Sequence, residues 1–466
     1  MTDLISGPAS TTEDLREAAD KHLWRHFAEI DEARRTPLPI MVSGDGCHVT
    51  DSEGNRYIDG ISCLFCVNLG YSFGREMAEA AAVQMAALPY YAAWSTANPP
   101  LIQLAEKVAS LAPEGMNKVF FTPSGGESNE AAWKLAREYY ALRGERRWKA
   151  ISRDGAYHGT TMGALSLTGI APYRTIYEPL VPDVGRVHNT NSFRRPAGET
   201  EEEFTAFLLA DLEHQIVALG PDTVALVILE PVQNQAGCLT APAGYFAGVR
   251  EICDRYDILL HADEVITGFG RLGAWFASDL YDIRPDIISI GKGLSSTYAS
   301  ISAVVASDKV VAPFEQPGVK FHHGNTFGGH PTQCAIALRN IEIMEREGIM
   351  EHVTEKQHEL RSMLATLFDL PIVGDLRGAG FFYAIELVRD RATKDPFTEE
   401  ERAVLFSEKL ELRLRSEGLL CRAADEGSPV IFIAPPLVAD TAEFEEITGI
   451  LRGVLTDVSE QAMAIR

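Results

Sequence analysis

Residues 258–294 contain two short apolar runs that each end in a charged residue. The first run reads Ile258-Leu-Leu-His-Ala-Asp263-Glu264, and the second reads Asp286-Ile-Ile-Ser-Ile-Gly-Lys292-Gly. Runs rich in Ile and Leu, bounded by polar residues or by Gly and Pro, are typical of buried parallel strands. Ligands of open α/β sheets bind beyond the carboxyl ends of such strands. The sequence therefore predicts that Asp263 and Lys292 lie together at a ligand-binding edge of a sheet.

A lysine beside a carboxylate is the pair that a pyridoxal phosphate enzyme requires. The amine forms a Schiff base with the cofactor, and the acid keeps the ring nitrogen protonated. A surface ion pair is the alternative interpretation. We favour the cofactor, because Lys292 stands between Gly291 and Gly293 directly after an apolar run, an unusual place for a solvated charge.

Strand and helix patterns alternate through the middle of the chain. Predicted strands at 119–122, 149–153, 224–229 and 258–262 alternate with predicted helices at 127–142, 160–167, 201–219 and 244–256. This alternation predicts an α/β fold with a mostly parallel, doubly wound sheet.

The pattern changes near residues 326–331, where we place a domain boundary. A predicted helix at 332–347 is followed by predicted strands at 372–377, 380–387, 419–422 and 430–434. We expect a large domain at 71–328 and a smaller α+β domain at 329–466. Residues 1–70, with a predicted helix at 15–30 and strands at 47–50 and 56–62, are expected to join the small domain.

Composition narrows the classes of partner. The 466-residue chain has 66 acidic and 42 basic residues and a formal net charge of −24. Nucleic acids and anionic membranes attract basic surfaces, so neither is expected as a partner. The first eight residues lack the pattern of a signal peptide, and no apolar run reaches membrane-spanning length. Seven scattered cysteines are typical of a reduced compartment, so we expect a cytoplasmic protein.

Three further motifs fall where predicted strands end. Ser124-Gly125-Gly126 opens a predicted helix, whose first N–H groups form an anion site. Tyr157-His158 follows another strand, where an aromatic ring can stack on a planar heterocycle. Glu230 and Gln233 follow a third; Glu230 could pair with an arginine or contact substrate, and Gln233 could hydrogen-bond a phenolic oxygen. A packing or solvated role competes with each interpretation taken alone.

Three motifs suggest other chemistry, and we give each less weight. The glycines from Gly268 to Gly273 match the spacing of a nicotinamide dinucleotide fingerprint, but five residues separate them from the strand. His322 and His323 have no further metal ligands at a suitable spacing. Cys63-Leu-Phe-Cys66 has no second cysteine pair nearby, so core packing is favoured over redox or zinc chemistry.

Taken together, these motifs resemble the class III aminotransferases over nearly the whole chain, in the same order. The motifs that carry the resemblance are Tyr57-Ile-Asp-Gly60, Cys66-Val-Asn-Leu-Gly-Tyr71, Phe120-Phe-Thr, Glu130-Ala-Ala-Trp-Lys134, Glu230-Pro-Val, Asp263-Glu-Val-Ile-Thr-Gly-Phe-Gly-Arg271, Gly291-Lys292-Gly293 and His323-Gly-Asn-Thr326-Phe. The resemblance implies pyridoxal 5′-phosphate and the aspartate-aminotransferase-like fold, fold type I. Within the family the chain looks most similar to the omega-aminotransferases that use pyruvate.

The resemblance also implies a role for each site residue. Lys292 would carry the cofactor, and Asp263 would contact its ring nitrogen. Thr326 would reach the phosphate of a partner subunit, which implies a homodimer with its active sites at the interface. The remaining cofactor contacts would be Ser124, Gly125, Gly126, Tyr157, His158, Glu230 and Gln233. The substrate contacts would be Phe65, Trp94, Tyr157 and Arg422, with Arg422 as a mobile partner for the acceptor's carboxylate.

Three positions depart from the family pattern. Gly126 stands where Ser is common, Phe65 where many relatives have Trp, and Asn325 where an aromatic residue is frequent. We predict ping-pong transfer of an amino group from an amine or omega-amino acid to a keto acid. An aminomutase, decarboxylase or racemase on the same scaffold is the main alternative. A nicotinamide dehydrogenase and a catalytically silent binding protein are further alternatives.

Overall fold

The computed structural model describes residues 11–30, 36–424 and 429–465. Its strands are β1 (Met41–Asp45), β2 (His48–Asp51), β3 (Arg56–Asp59), β4 (Lys118–Thr122), β5 (Lys149–Arg153), β6 (Val184–Val187), β7 (Val224–Leu229), β8 (Val232–Gln233), β9 (Leu239–Thr240), β10 (Leu259–Asp263), β11 (Ile287–Ile290), β12 (Ser302–Ala306), β13 (Val373–Ala379), β14 (Phe382–Leu387), β15 (Leu419–Leu420), β16 (Arg422–Ala424) and β17 (Val430–Ile433). Its α-helices are Thr12–His22, Ser62–Phe65, Gly74–Ala87, Pro99–Leu111, Gly125–Leu142, Met162–Leu167, Ala171–Arg174, Glu201–Leu219, Tyr245–Arg255, Ala277–Leu280, Asp308–Val311, Pro331–Arg346, Ile349–Ala365, Glu399–Leu405, Leu410–Ser416 and Thr441–Ala464.

A seven-stranded sheet forms the centre of the fold. Its strand order is β4-β12-β11-β10-β7-β5-β6. Only β12 runs antiparallel to its neighbours, so the other six strands point the same way. All residues of β7, β10 and β11 are buried, as expected for strands covered on both faces. The predicted α/β class with a mostly parallel sheet is confirmed.

Two strands of this sheet were not predicted. β6 reads Val-Gly-Arg-Val, and its alternating burial leaves too few apolar residues for a recognisable run. β12 reads Ser-Ala-Val-Val-Ala and is short, although it is fully buried. Because β12 is antiparallel, it begins at the edge where the other strands end.

The N-terminal helix is shorter than predicted. It spans Thr12–His22 and is capped by Thr11, whose side chain accepts the N–H of Asp14. None of its residues is buried, so no packing contact extends it to residue 30. Residues 25–28 instead run along the mouth of the cavity described below.

Two four-stranded sheets flank the central one, with the orders β1-β2-β3-β15 and β13-β14-β17-β16. The single strand predicted at 419–422 is in fact two strands, because β15 pairs with β3 whereas β16 pairs with β17. The β3–β15 pairing places the N-terminal segment beside the C-terminal block. The division at 70 and 328 stays a prediction, because one buried apolar cluster extends from Cys47 to Ala462 across all three segments. Among the helices that the structure describes, none combines the length and hydropathy needed to cross a bilayer.

Candidate active site

A cavity of about 1270 Å³ lies at the carboxyl edge of the central sheet. The strands β4, β5, β7 and β10 end beside it, and each contributes a polar or aromatic residue there: Ser124, Tyr157, Glu230 and Asp263. Lys292 enters the same cavity two residues after the end of β11. Parallel strands deliver these side chains to one edge, although the residues are far apart in the sequence.

Asp263 is the buried carboxylate of the cavity. Its Oδ2 lies 2.7 Å from His158 Nδ1 and accepts a hydrogen bond of 2.8 Å from Asn129 Nδ2. Its Oδ1 accepts the N–H of Val265 at 3.2 Å. Burial alone would raise the pKa of Asp263, but the contacts with His158, His261 and Asn129 outweigh it and lower the pKa. Asp263 is therefore held as an anion whose negative charge faces the cavity.

Asn129 is a site residue that the sequence analysis missed. Its amide donates to Asp263 Oδ2 and to the main-chain oxygen of His158, each at 2.8 Å, so it fixes both partners. Asn129 lies one turn into the helix Gly125–Leu142, on the same face as Gly125, but this position alone does not identify its partners. His158, predicted as a cofactor contact, serves in this geometry as a partner of Asp263.

Lys292 is half-buried and lines the same cavity. Burial lowers the pKa of its ammonium group, against the opposing effect of the nearby Cys66, Asp263 and Glu230. A lowered pKa increases the fraction of free amine, the form that acts as a nucleophile or base. The Nζ atom lies 5.8 Å from the centre of the Phe65 ring. Phe65 thus forms part of the cavity wall beside the lysine.

The helix Gly125–Leu142 points its N-terminus into the cavity. Ser124 is its N-cap and accepts the N–H of Glu127 at 3.4 Å. A side chain at Gly125 would come within 2.9 Å of Val265, so this position requires glycine. A β-carbon at Gly126 would meet its nearest neighbour, Gly159, at 3.6 Å, an ordinary contact. The first-turn N–H groups have no intrahelical partners, and the glycines let a ligand approach them closely. Both features suit a phosphate.

Glu230 positions the main chain next to Tyr157. Its Oε1 accepts the N–H of Tyr157 at 3.2 Å, and its Oε2 accepts the N–H of Asn234 at 3.0 Å. Arg153 donates to the main-chain oxygen of Glu230 and not to its carboxylate. Burial raises the pKa of Glu230. Tyr157 itself lines the cavity, as expected for a ring that stacks on a cofactor.

Gln233 is placed differently from its prediction. Its side chain is fully buried, donates to the main-chain oxygen of Asp154 at 2.7 Å, and is not part of the cavity lining. Val232 and Asn234, its neighbours in the chain, do line the cavity. Successive side chains of a strand point to opposite faces, so Gln233 points away from the cavity that Val232 and Asn234 line. The predicted contact with a phenolic oxygen stays a prediction.

Arg422 lines the cavity at the start of β16. Its Nη2 donates to the hydroxyl of Tyr173 at 3.3 Å, and its guanidinium lies 5.9 Å from the centre of the Phe432 ring. Tyr173 in turn packs on Phe27, with 5.3 Å between ring centres. The competing partners Asp425 and Glu426 lie outside the described residues.

Trp94 and Thr326 do not line this cavity. Trp94 is exposed, and its ring lies 3.4 Å from where a β-carbon of Gly324 would be. The hydroxyl of Tyr90 donates to the main-chain oxygen of Thr326 at 2.7 Å. The two predicted site residues thus lie close to the same short segment of the surface, away from Lys292.

The remaining motifs have structural roles. Arg271, in the Gly268–Gly273 motif, is fully buried, and its guanidinium donates to Ser62 Oγ at 3.1 Å and to Asn68 Oδ1 at 2.8 Å. It also donates to the main-chain oxygens of Phe381 and Pro435, at 3.1 and 2.6 Å. The motif therefore braces the turn that carries Phe65. His322 and His323 pair with Glu138 and Lys134, and the described residues contain no group of metal ligands.

The donor set fits pyridoxal 5′-phosphate. The N-terminus at Ser124 suits the phosphate, Tyr157 suits the ring face, and the buried anion Asp263 suits a protonated ring nitrogen. Lys292 supplies an amine whose pKa is lowered by burial. All four line a single cavity.

Known proteins with similar sequences are aminotransferases. The family model for class III aminotransferases matches residues 30–455. A probable aminotransferase of Mycobacterium tuberculosis is 47% identical over 96% of this chain and 95% of its own. The putrescine–pyruvate aminotransferase of Pseudomonas aeruginosa is 36% identical over 98% of both chains. The diaminobutyrate–2-oxoglutarate transaminase of Halomonas elongata is 36% identical over 92% of this chain and 91% of its own.

Solved structures agree with this assignment. An (S)-enantioselective omega-transaminase from Thermomicrobium roseum superposes with a TM-score of 0.92 and 37% identity, over 97% of this chain and 100% of the other. The omega-transaminase of Pseudomonas jessenii in complex with PMP superposes with a TM-score of 0.90 and 34% identity, over 96% and 98%. The chain belongs to the class III aminotransferases, enzymes of fold type I that depend on pyridoxal 5′-phosphate.

Proposed function

We propose that this enzyme transfers an amino group from an amine or omega-amino acid to a keto acid, with pyruvate as the acceptor, by a ping-pong mechanism. The observation that carries the proposal is the shared cavity of Lys292, Asp263 and the Ser124-capped helix. The name of the Pseudomonas aeruginosa relative, putrescine–pyruvate aminotransferase, supports pyruvate. The Halomonas elongata relative is named for 2-oxoglutarate, so that acid is the competing acceptor.

Each of these cavity residues has its own role in the proposed reaction. Bound pyridoxal phosphate supplies an electron sink for the carbon that loses its proton. Lys292 Nζ would hold the cofactor and, as a free amine, would take that proton and later return it. Asp263 would hold the ring nitrogen protonated, and His158 and Asn129 keep Asp263 in position. The N–H groups at Gly125 and Gly126 would hold the phosphate, and Glu230 fixes the main chain that carries Tyr157.

The transfer is tested by measuring products with and without a keto acid. We expect a panel of amines to yield ketone or aldehyde only when an acceptor is added, with pyruvate giving a higher kcat/KM than 2-oxoglutarate. Double-reciprocal plots at several acceptor concentrations should be parallel, as a ping-pong mechanism requires. Product formed without any acceptor would instead indicate an aminomutase, decarboxylase or racemase.

Arg422→Ala should impair the acceptor half-reaction selectively. An arginine pairs with a carboxylate through two charge-assisted hydrogen bonds. Arg422 lines the cavity, and within the described part of the chain its guanidinium donates to the hydroxyl of Tyr173 at 3.3 Å. We expect KM for pyruvate to rise about tenfold or more, the equivalent of one such pair. The rate with a simple aromatic amine should hardly change.

Two matched variants define the role of Arg422. Arg422→Lys keeps the charge but loses the bidentate geometry, so its KM for pyruvate should be intermediate. Tyr173→Phe removes the hydrogen-bond acceptor and should leave KM for pyruvate close to that of the wild type. Equal effects of Arg422→Ala on both half-reactions, or no effect on either, would remove Arg422 from acceptor binding.

We also propose that the enzyme is a homodimer with its active sites at the interface. Exposed aromatic residues support this interface: Tyr91, Trp94 and Phe327 are each more than half exposed in the single chain. They adjoin the segment of Thr326, which the family resemblance assigns to the partner's phosphate site. Light scattering should give twice the mass of the chain, and Thr326→Val should weaken cofactor binding. A monomer with full cofactor affinity would contradict both statements.

A further inference from the structure

The antiparallel hairpin of β8 and β9 forms part of the cavity wall. Val232 lies in β8, Asn234 and Gln235 begin the turn that follows, and all three residues line the cavity. The carboxylate of Glu230 accepts the N–H groups of Asn234 and Tyr157, at 3.0 and 3.2 Å. The hairpin and Tyr157 are therefore held by the same side chain, and the position of the hairpin sets one wall of the cavity.

An arginine from another sheet holds the turn of this hairpin. The main-chain oxygen of Asn234 accepts the N–H groups of Gly237 at 2.8 Å and of Cys238 at 3.1 Å, which closes the turn. The main-chain oxygen of Gly237 accepts Nε–H of Arg377 at 2.5 Å. Arg377 lies in β13, which belongs to the sheet β13-β14-β17-β16. The contact therefore joins the cavity wall to a sheet that lies outside it.

Gly237 is the residue at which the two parts meet. Its φ angle is +99°, a conformation that favours glycine. A β-carbon at Gly237 would overlap Nη2 of Arg377 and would lie 3.3 Å from Val430. The guanidinium thus packs directly on the main chain of the turn, with no room for a side chain between them.

The carboxylate of Glu386 fixes the orientation of Arg377. Glu386 is only 3% exposed. Arg377 Nη1 donates to Glu386 Oε2 at 2.6 Å and to Asp375 Oδ2 at 2.9 Å. Arg194 Nε donates to the other oxygen of Glu386 at 2.9 Å. Charge-assisted hydrogen bonds to a buried carboxylate are strong and directional, so Arg377 presents its Nε–H to Gly237 in one defined position.

We propose that Arg377 is a positioning residue, which holds the β8–β9 hairpin against the cavity and thereby sets the size of donor amine that binds best. The proposal rests on the proposed transamination for the nature of the ligand. It is carried by a continuous path of hydrogen bonds through Glu386, Arg377, Gly237, Asn234 and Glu230. Arg377 does not line the cavity, so it acts through the hairpin and not by contact with the substrate.

Loss of this contact loosens the hairpin and widens the cavity beside it. A small amine then loses its contact with the wall, whereas a bulkier amine still reaches the wall. Lys292 and Asp263 are carried by β11 and β10 and not by the hairpin, so the groups that react stay in place. A change that weakens binding of the ground state and the transition state alike raises the half-saturation concentration and leaves the maximal rate unchanged.

The test replaces Arg377 by Ala in the holoenzyme and compares propylamine with the bulkier phenethylamine in single-turnover measurements. We expect the half-saturation concentration to rise about tenfold for propylamine and to change much less for phenethylamine. The maximal rate with propylamine should stay within about twofold of the wild type. Gly237→Ala disturbs the same contact from the other side and should reproduce both results.

Arg194→Met is the matched control. It removes the second arginine from Glu386 and leaves the hydrogen bond from Arg377 to Gly237 in place. It should lower the melting temperature of the holoenzyme, because a buried carboxylate loses a partner, but both half-saturation concentrations should match those of the wild type. Arg377→Lys keeps the charge beside Glu386 without the planar fork, and it provides the same comparison if Arg377→Ala does not fold.

A spectroscopic measurement tests the proposal without turnover. Because Glu230 holds both the hairpin and Tyr157, the absorbance maximum of the bound cofactor should shift in Arg377→Ala and in Gly237→Ala but not in Arg194→Met. Equal effects on the two amines, the same effects in Arg194→Met, or no spectral shift would overturn the positioning role. A spectral shift in an enzyme that passes no amino group to a keto acid would contradict the proposed transamination and support the role of Arg377.

Discussion

Lys292→Ala is expected to give a folded protein with no measurable transamination. In the proposed mechanism Lys292 both holds the cofactor and moves the proton, and the substitution removes both roles at once. No other lysine lies directly after a central strand beside Asp263. The loss is measured as the single-turnover rate with an aromatic amine, relative to the cofactor bound, and should reach the limit of detection.

Borohydride reduction tests the same assignment chemically. In the wild-type holoenzyme it should fix the cofactor to the peptide that contains Lys292. Lys409 also lines the cavity and provides a matched control, since Lys409→Ala should be labelled like the wild type. Cofactor fixed at any lysine other than Lys292 would contradict the site.

The cofactor-free protein provides a test of folding that does not depend on activity. Burial lowers the pKa of Lys292 below its ordinary value of 10.5. The unfolded chain therefore binds this proton more tightly, so the buried ammonium destabilises the fold at neutral pH. The penalty fades as the pH rises from the lowered pKa toward 10.5. Lys292→Met should accordingly melt higher than the cofactor-free wild type at neutral pH, and the difference should shrink in alkaline buffer.

Asp263→Asn should slow the amine half-reaction by several orders of magnitude. An amide has nearly the same shape but no charge, so it no longer favours protonation of the ring nitrogen. His158 and Asn129 both contact Oδ2 of Asp263, and these contacts were formed for an anion. Cofactor affinity should fall much less, because the phosphate site at Ser124 is untouched. Single-turnover rates and the absorbance of bound cofactor separate the two effects.

Glu264→Gln is the matched control for Asp263→Asn. Glu264 is the next residue and is also a buried carboxylate, but it accepts the N–H groups of Ala277 and Ser278 and does not line the cavity. Its substitution should lower thermal stability and leave the single-turnover rate within a small factor of the wild type. Near-normal turnover by Asp263→Asn would mean that another residue contacts the ring nitrogen.

The sequence was sufficient to predict the edge at which the cavity forms, because each strand end bears a recognisable change from apolar to polar residues. Asp263, Lys292, Glu230 and Ser124 all follow such a change. The fold class followed from the same alternation. By contrast, β6 and β12 lack an apolar run of sufficient length, and the N-terminal helix has no buried residue that would extend it.

The sequence does not show which way a side chain points or which residues it contacts. Gln233 follows a strand like the others, but successive side chains of β8 face opposite sides, and Gln233 points away from the cavity. Asn129 looked like an ordinary helical residue, and only the three-dimensional structure places it against Asp263. Arg271 lies in the Gly268–Gly273 motif, which was given little weight as a dinucleotide fingerprint. The structure shows that Arg271 braces the cavity wall. These contacts join residues more than 100 positions apart, which no local pattern records.

The contacts of Arg271 have a consequence for biosynthesis. The guanidinium of Arg271 donates to Ser62, Asn68, Phe381 and Pro435, which lie up to 209 residues from Arg271 in the sequence. A ribosome releases Asp263 and Lys292 well before Pro435, so the growing chain possesses the chemical groups of the site but not the wall that Arg271 fixes. Contacts of such long range form late in folding. We therefore expect a chain that stops before residue 435 to lack the fixed wall beside Lys292 and to show no transaminase activity.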